Sequence, residues 1–386
     1  MKIAIFTNTF WPSKNGVAVS ATNLRQELLA LGHEVLVFAP TVDGLKTKDD
    51  LPKVFRFPSI QYPQYPLALP FQMQKIKKTL LEEKIELIHS EHPWWVGSWA
   101  LKFAKELNLP LITTIHTRYE LYLSKVPLPK SWVLETINQK VKKYCDQTDL
   151  VTTPGFGSRE RLLKLKIKTP VIVVSNPTDL KNYNRADGQS IRQKFGIQDS
   201  APVAGYVGRL SSEKNLSILL NAFAQFRAKL PGSRLLLVGD SNLRHKLKTA
   251  SKKIPGIIFA GAVDHKQISD YLAAFDLFLT ASTSEVQPMT YAESLAAGRP
   301  IIAFDVAGNN DMIVDNQSGV LVPEELGSEG LADAAYKLLV DKEKLTQLQT
   351  KAKQSTDQFG LRAATLSMVE AYKKAIALHE KDSADS

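Results

Sequence analysis

The stretch KIAIFTNTFWPSKNGVAVSATNLRQELLALGHEVLVFAP, residues 2–40, decides the fold. It opens with an apolar run that is typical of a buried strand and passes through a loop that ends at Gly16. The amphipathic pattern of a helix follows over 21–31 and stops at Gly32, and the apolar run over 34–40 predicts a second strand. The stretch is therefore one βαβ unit, and such units build parallel sheets with right-handed crossovers.

The alternation of apolar strands and helices continues beyond this unit and restarts after residue 200. In the first half, further strands are predicted at 86–90, 110–116, 150–154 and 170–176. In the second half, strands are predicted at 202–208, 233–240, 256–261, 277–282 and 300–306. We therefore predict an α/β protein made of two Rossmann-like, doubly wound parallel-sheet domains.

The predicted division of the chain places an N-terminal domain at 1–176 and a C-terminal domain at 177–360. The remaining segment, 361–386, is predicted to be a helix that packs back on the first domain, followed by a polar tail. Ligands of open parallel sheets bind at the carboxyl ends of the strands. We therefore expect the two sheets to face each other across an inter-domain cleft that holds the ligand.

The composition is that of an ordinary globular protein, with 44% hydrophobic and 23% charged residues. Cys145 is the only cysteine, which excludes an intrachain disulfide and the cysteine-rich metal motifs. No apolar run is long enough to span a bilayer, and the sequence opens with a predicted strand where a signal peptide would stand. We therefore expect a cytoplasmic protein.

The net charge of +10 favours an anionic partner such as a nucleotide or an acidic lipid surface. No zinc finger, RNA-recognition signature or arginine-rich tail is found, so nucleic acid is not expected as a partner. Two stretches, 59–81 and 122–144, mix lysines with proline and aromatic residues. They form either ordinary surface or a face that rests on an anionic membrane. The residues expected on this acceptor or membrane side are Tyr65, Lys75, Lys77, Lys78, Tyr119 and Trp132.

Two strand-to-helix loops carry features that suit an anion. Gly16 and the amides that open the next helix form one possible anion site, although an ordinary turn glycine is the simpler interpretation. Arg209 and Lys214 follow the first strand of the second domain, where two cations suit a pyrophosphate. Two surface cations beside Glu213 are the alternative.

The stretch EVQPMTYAE, residues 285–293, places one acid in a loop and another on a helix. Pro288 fits the first turn of a helix that ends at Gly298. The amino terminus of that helix presents N–H groups that suit a phosphate. The residues expected at this helix start are Pro288, Met289 and Thr290.

The two acids of this stretch suit sugars, because a carboxylate accepts paired hydrogen bonds from vicinal hydroxyls. Glu285 in the loop and Glu293 on the helix are predicted to hold two different sugars on either side of the phosphates. An ordinary polar turn residue and an exposed helix acid are the respective alternatives.

His116 follows a predicted strand, at the end of the sheet where ligands bind. A histidine there can hydrogen-bond a substrate hydroxyl or move a proton, although a lone histidine is more often structural. Tyr119, Glu120 and Tyr122 would make a polar, aromatic rim beside it.

Taken together, these motifs resemble a retaining glycosyltransferase of the large family 4, with the GT-B architecture. The E-x7-E pair Glu285 and Glu293 matches the signature of that family. The family's other motifs are matched by Gly208-Arg209 with Lys214, VGD at 238–240, AAG at 296–298 and SNPTD at 175–179. They occur in the family's order and spacing over nearly the whole chain.

The resemblance assigns roles to four residues of the second domain. Arg209 and Lys214 would bind the donor diphosphate. Glu293 would hold the nucleotide ribose, and Glu285 would hold hydroxyls of the transferred sugar.

In the first domain, the resemblance implies that Gly16 approaches the diphosphate and that His116 contacts the donor sugar near the reacting carbon. His116 and Glu285 are therefore the candidate catalytic residues. The family needs neither a metal nor another cofactor, because basic side chains and helix amino termini neutralise the leaving group. The anomeric configuration is retained.

A narrower resemblance is carried by HTRYELY at 116–122, by TSEVQPMTYAE and by the basic first domain. These features resemble membrane-associated transferases that glycosylate diacylglycerol from a nucleotide-activated hexose, usually UDP-glucose. The expected location is then the inner face of the cell membrane. A soluble sugar, a polysaccharide or a phosphatidylinositol-type lipid remains an alternative acceptor. A sugar-nucleotide epimerase and a non-enzymatic sugar-binding module are alternatives of other classes.

Overall fold

The structure is a computed structural model that describes residues 1–44, 50–60, 66–117, 130–241 and 243–384. The chain forms two compact units. Unit 1 consists of Met1–Pro177 together with Leu361–Ser386, and unit 2 consists of Thr178–Gly360.

Unit 1 is built on a seven-stranded sheet in which all paired strands are parallel. The order across this sheet is β3-β2-β1-β6-β7-β8-β9, and β4 and β5 form a separate two-stranded antiparallel hairpin. The strands are β1 (Lys2–Phe6), β2 (Glu34–Pro40), β3 (Val54–Phe57), β4 (Ser59–Ile60), β5 (Leu67–Ala68), β6 (Leu87–Ser90), β7 (Leu111–Thr114), β8 (Leu150–Thr153) and β9 (Val171–Val173).

Helices connect β1 to β2, β5 to β6 and each pair of successive strands from β6 to β9 in unit 1. They are α1 (Gly16–Ala30), α2 (Met73–Glu82), α3 (Val96–Leu107), α4 (Lys130–Cys145) and α5 (Phe156–Lys164).

Unit 2 repeats this plan with a six-stranded parallel sheet of order β12-β11-β10-β13-β14-β15. The strands are β10 (Val203–Val207), β11 (Arg234–Val238), β12 (Ile257–Gly261), β13 (Leu277–Leu279), β14 (Ile301–Phe304) and β15 (Gly319–Val322). The helices are α6 (Gly188–Lys194), α7 (Leu216–Lys229), α8 (Arg244–Ala250), α9 (Ile268–Ala273), α10 (Met289–Ala296), α11 (Gly327–Val340) and α12 (Lys342–Gln354).

The chain ends in the long helix α13 (Leu361–Ala384), which belongs to unit 1. Its buried residues Met368, Val369 and Tyr372 share one apolar core with residues of β1, α1 and β2. This face of unit 1 is therefore completed by the last part of the chain.

The two doubly wound parallel sheets confirm the predicted fold class. The sequence predicts neither the short strands β3 and β15 nor the hairpin β4–β5. Within the 59–81 stretch, Ser59 pairs with Ala68 and Ile60 pairs with Leu67. Two-residue strands are too short to show the alternation by which strands are recognised.

In both sheets the order of the strands reverses near the centre of the sheet, and this reversal positions the candidate site. In unit 1 the strand order reverses between β1 and β6, and in unit 2 it reverses between β10 and β13. Loops that follow the two strands at such a point leave in opposite directions and open a crevice at the carboxyl edge of the sheet. The loops after β10 and β13 hold Lys214 and Glu285, and the residue after β6 is Glu91.

Candidate functional site

Lys214 and Glu285 form an ion pair at the carboxyl edge of the unit 2 sheet. Lys214 Nζ donates to Glu285 Oε1 over 2.6 Å. The two side chains are only 17% and 11% exposed. Burial strengthens the electrostatic attraction within such a pair, and removal of either partner would leave an uncompensated buried charge.

Arg209 lies in the same loop as Lys214 but in a different environment. Its side chain is 64% exposed, and its Nη2 lies 3.4 Å from Glu213 Oε1. Glu213 also accepts a hydrogen bond from Ser211 Oγ. Burial raises the pKa of Glu213, but the Ser211 bond, the backbone and the nearby cations outweigh it and leave that pKa below its ordinary value. Arg209 is therefore a long, solvated cation beside the buried Lys214–Glu285 pair.

Glu293 lies in α10 with its side chain only 2% exposed, and its Oε1 accepts a hydrogen bond from His265 Nε2 at 2.9 Å. The bond to Glu293 raises the pKa of His265, although burial acts against it. Burial, and then the same carboxylate, raise the pKa of Tyr183 above its ordinary value. Glu293 is thus not an exposed helix acid, and three separate segments of unit 2 meet around its carboxylate.

The start of α10 follows the predicted pattern. Pro288 is the residue before the first helical position, and Met289 and Thr290 occupy the first turn. Pro288, the N-cap residue, makes no side-chain cap hydrogen bond. The free backbone N–H groups of a first turn favour negative charge, as expected for a phosphate-binding helix start.

Asn309 connects the elements that carry the two acids, and the sequence interpretation does not include it. Its Nδ2 donates to Ser282 O at 2.9 Å and to Phe304 O at 3.0 Å, and its Oδ1 accepts from Tyr291 Oη at 3.1 Å. The residue is fully buried. One amide therefore fixes the loop before Glu285, the end of β14 and helix α10 relative to one another.

The neighbouring Gly308 packs directly on the backbone of Glu285. Its φ is +92°, and a Cβ built there would lie 2.1 Å from Glu285 O. Only glycine combines this backbone conformation with this close approach. The loop after β14 therefore packs against the backbone of Glu285. This contact follows from the adjacency of β13 and β14, and no sequence motif indicates it.

In unit 1, Gly16 is the first residue of α1 and is exposed. A Cβ at this position would meet no atom within 4 Å. The helix is capped by Asn15, whose side chain accepts from Ala18 N at 3.0 Å and donates to Thr9 Oγ1 at 2.7 Å. The loop after β1 is thereby held against the start of α1.

His116 has a buried partner that the sequence interpretation missed. Its Nε2 lies 2.6 Å from Glu91 Oε2, with side-chain exposures of 7% and 2%. Burial tends to raise the pKa of Glu91, but interactions with His89, His116 and His92 outweigh it and lower that pKa to about 2. Glu91 therefore stays ionised. Its position directly after a predicted strand was the available signal.

Four of the residues expected on the acceptor side are described. Lys75, Lys77 and Lys78 lie on α2, and Trp132 lies on α4 with 62% of its surface exposed. Lys77 pairs with Glu106 at 2.7 Å. The remaining two, Tyr65 and Tyr119, lie outside the described residues, as does most of the HTRYELY stretch.

Over the described ranges, no group of three or more His, Cys, Asp or Glu side chains is arranged to hold a metal ion. No helix in the same ranges is long and apolar enough to cross a membrane.

Two family models match successive parts of the chain. The model described as Glycosyltransferase Family 4 matches residues 14–182, and the model described as Glycosyl transferases group 1 matches residues 187–355. This chain is a family 4 glycosyltransferase. The boundary between the two matches lies close to the boundary between the two units.

Curated relatives of this glycosyltransferase include two enzymes named alpha-monoglucosyldiacylglycerol synthase. The one from Streptococcus pneumoniae is 29% identical over 88% of this chain and 78% of its own length. The one from Acholeplasma laidlawii is 29% identical over 83% of this chain and 84% of its own length. A GDP-mannose-dependent alpha-mannosyltransferase from Mycobacterium tuberculosis is 26% identical over 89% of both chains.

Solved structures confirm the GT-B fold. Sucrose-phosphate synthase from Thermosynechococcus elongatus superposes with a TM-score of 0.80 at 21% identity, covering 98% of this chain and 99% of that one. Anabaena HepE in complex with UDP superposes with a TM-score of 0.78 at 20% identity, covering 96% and 99% of the two chains. Identities this low establish the fold alone.

Proposed function

We propose that this glycosyltransferase moves glucose from UDP-glucose to 1,2-diacylglycerol at a membrane surface. The observation that carries the proposal is the similarity to two relatives named alpha-monoglucosyldiacylglycerol synthase, each 29% identical over more than four-fifths of this chain. The charged residues of unit 2 add chemical support, because they match the parts of a nucleotide-sugar donor.

The two residues of the Lys214–Glu285 pair are proposed to bind different parts of the donor, Lys214 the diphosphate and Glu285 the sugar. Lys214 has three N–H donors, of which one is directed at Glu285. Its remaining donors would bind a diphosphate oxygen, and Arg209 would reach the same group by means of its long, exposed side chain. Glu285 would accept hydrogen bonds from hydroxyls of the transferred hexose.

Glu293 is proposed to hold the ribose of the donor nucleotide. The bond to His265 uses Oε1. A carboxylate has about four lone-pair sites on its two oxygens, so capacity remains for hydroxyl donors. Because this carboxylate is desolvated, it favours ligands that carry the hydroxyls over ligands that lack them. A ligand without the hydroxyls would leave a buried charge unpaired.

The leaving diphosphate is proposed to be stabilised without a metal. Arg209, Lys214 and the amino terminus of α10 would neutralise its charge, and Gly16 is proposed as a further donor-binding residue. We further propose that the anomeric configuration is retained and that His116 binds the transferred hexose. The stereochemistry of the product is read directly from the anomeric coupling constant in its proton NMR spectrum.

The lipid acceptor implies contact with a bilayer, and unit 1 offers a suitable surface. Lys75 and Lys78 are exposed on α2, opposite its buried residues Ile76 and Leu80. Large exposed apolar side chains occur around the hairpin β4–β5 and the start of α2. They are Ile60, Phe71 and Trp95, and the Trp95 indole donates to Ala68 O at 2.6 Å. Lysines beside exposed aromatic side chains suit an anionic bilayer, and we propose peripheral binding to the inner face of the cell membrane.

The experiment is a transfer assay on the purified full chain. Radiolabelled UDP-glucose is offered with liposomes that contain diacylglycerol, half of which also contain anionic lipid, and label is counted in the organic phase. We expect label in the organic phase, more of it with anionic lipid, and loss of label in the variant Glu285→Gln. The matched control is Glu324→Gln, which changes an exposed acid of the same unit.

A second donor is favoured by a specific observation, the 26% identity to a GDP-mannose-dependent alpha-mannosyltransferase. Labelled GDP-mannose is therefore offered in a parallel arm. Label from GDP-mannose alone would overturn the choice of donor, and label only in the aqueous phase would overturn the lipid acceptor. Absence of transfer from both donors to lipid and soluble acceptors alike would contradict the proposed reaction.

A further inference from the structure

The pair Glu91–His116 is built on two neighbouring strands of unit 1. Strands β6 and β7 run parallel in register, with Ser90 opposite Thr113. Glu91 directly follows β6 and His116 follows β7 by two residues, so both lie at the carboxyl edge of the sheet. The backbone fixes them there, because Glu91 N donates to Phe6 O and Ile115 N donates to Thr152 O, each over 2.9 Å.

The chemistry of this contact determines which imidazole nitrogen carries a proton. An ionised carboxylate only accepts hydrogen bonds, and Glu91, with its pKa near 2, is ionised at neutral pH. Nε2 of His116, 2.6 Å from Glu91 Oε2, must therefore carry a hydrogen. In the neutral ring Nδ1 is then an acceptor. Among the described residues, none hydrogen-bonds this Nδ1.

The neighbouring histidines do not compete for this carboxylate. Burial first, and then repulsion by His116, lower the pKa of His92 to about 4, so His92 is neutral at neutral pH. Burial likewise lowers the pKa of His89, whose ring nitrogens bond Tyr372 Oη at 2.9 Å and Thr114 Oγ1 at 2.7 Å. His116 is thus the histidine that Glu91 orients.

A stabilising role alone does not account for the pair. Burying a carboxylate is costly, and replacing a buried polar pair by apolar residues is often neutral or stabilising. The pair lies at the carboxyl edge of a parallel sheet, where ligands bind. A costly buried carboxylate at such a position is typical of a functional site, where it acts on a neighbouring residue.

We propose that Glu91 is a positioning residue that holds His116 as the Nε2–H tautomer, so that Nδ1 accepts a hydrogen bond from a hydroxyl of the donor hexose. This proposal rests on the proposed function for the identity of the ligand, whereas its tautomer part stands on unit 1 alone. Glu91 itself does not touch the sugar.

The test begins with the tautomer, which does not depend on activity. The full chain is labelled with ¹⁵N-histidine, and the His116 signals are identified by their loss in His116→Gln. In the neutral ring we expect Nε2 protonated and Nδ1 unprotonated. In Glu91→Gln the amide can accept from the ring or donate to it, so a mixture of both tautomers is expected. The matched control Glu380→Gln, an exposed acid on α13, should leave the His116 signals unchanged.

The same sample tests the ligand. Addition of UDP-glucose is expected to shift the Nδ1 resonance of His116, whereas UDP alone is not. GDP-mannose forms a third arm, so that a wrong choice of donor is recognised. If neither nucleotide sugar shifts Nδ1, the hexose contact is refuted even where transfer occurs.

Kinetics separate positioning from general structural damage. We expect Glu91→Gln to lower kcat by ~10- to 100-fold, as for residues that orient functional histidines, with the dissociation constant of UDP nearly unchanged. The double variant with His116→Gln should lose little more than His116→Gln alone, because the two residues act as a unit. A single tautomer and a normal kcat in Glu91→Gln would overturn the proposal. A mixture of tautomers in a wild-type chain that transfers no sugar would overturn both it and the proposed function.

Discussion

Nζ of Lys214 lies 2.6 Å from Oε1 of Glu285, and both side chains are largely buried at the carboxyl edge of the unit 2 sheet. The two residues are 71 positions apart in sequence and meet because β10 and β13 are adjacent and parallel. The acid predicted to hold the sugar is therefore already in contact with a cation predicted to hold the diphosphate.

The first prediction concerns Glu285. Glu285→Gln is expected to lower kcat for transfer by on the order of 100-fold, the effect of losing a charged hydrogen-bond acceptor for the sugar. The dissociation constant of UDP, measured by calorimetry, should change little because UDP lacks the hexose. Normal turnover in this variant would exclude Glu285 from the sugar site.

The second prediction concerns Glu293 and is tested with two ligands. Glu293→Gln is expected to weaken UDP binding by ~10- to 100-fold, because a buried carboxylate that accepts ribose hydroxyls is replaced by a neutral amide. The wild-type chain should also bind 2′,3′-dideoxy-UDP less tightly than UDP, and the variant should lose this preference. An equal preference in both proteins would assign the ribose to another residue.

The third prediction is a pH dependence of stability that arises from His265. Its pKa is raised in the folded chain, chiefly by the hydrogen bond to Glu293. A raised pKa stabilises the fold fully below the unfolded value of 6.5, and this contribution is lost as the pH rises through the folded value. We expect His265→Gln to reduce the fall in urea midpoint between about pH 6 and pH 8. An unchanged pH profile would contradict the His265–Glu293 contact.

The fourth prediction concerns Asn309, whose removal takes one hydrogen bond each from Ser282 O, Phe304 O and the Tyr291 hydroxyl in the core. Asn309→Ala is expected to lower the free energy of unfolding by about 2–4 kcal/mol in urea titration. The adjacent Asn310, which bonds Asp305 at 3.1 Å on the surface, offers a matched control.

Asn310→Ala is expected to change stability by less than about 0.5 kcal/mol, since exposed hydrogen bonds contribute little. In Asn309→Ala, assayed where the variant is folded, kcat should also fall, because the loop before Glu285 loses its anchor. Equal effects of the two substitutions would show that the buried amide has no special role.

The sequence was sufficient for the features that depend on local pattern. Apolar runs and helix periodicity predict most strands of both sheets, and Pro288 correctly places Glu285 in a loop and Glu293 in a helix. These features follow from residues that are neighbours in sequence, which is where pattern analysis is strong.

Contacts between distant segments were beyond the reach of the sequence. Glu91 contacts His116 at the ends of two neighbouring parallel strands, and His265 contacts Glu293 from a short 3₁₀ helix 28 positions away. Each pairing depends on strand order, and the spacing of residues along the chain does not encode that order. Burial is hidden for the same reason, so the sequence could not distinguish the buried Glu293 from an exposed helix acid.

Unit 1 is assembled from two parts of the chain, and this affects the order in which the protein can fold during synthesis. Helix α13 buries Tyr372 in the unit 1 core, where its hydroxyl bonds Nδ1 of His89. All of unit 2 precedes that helix in sequence. As the chain emerges from the ribosome, all residues of unit 2 are made before α13. Until α13 has followed, unit 1 still exposes the apolar face that this helix will cover. Unit 1, whose synthesis begins first, is thus the last of the two units to be completed.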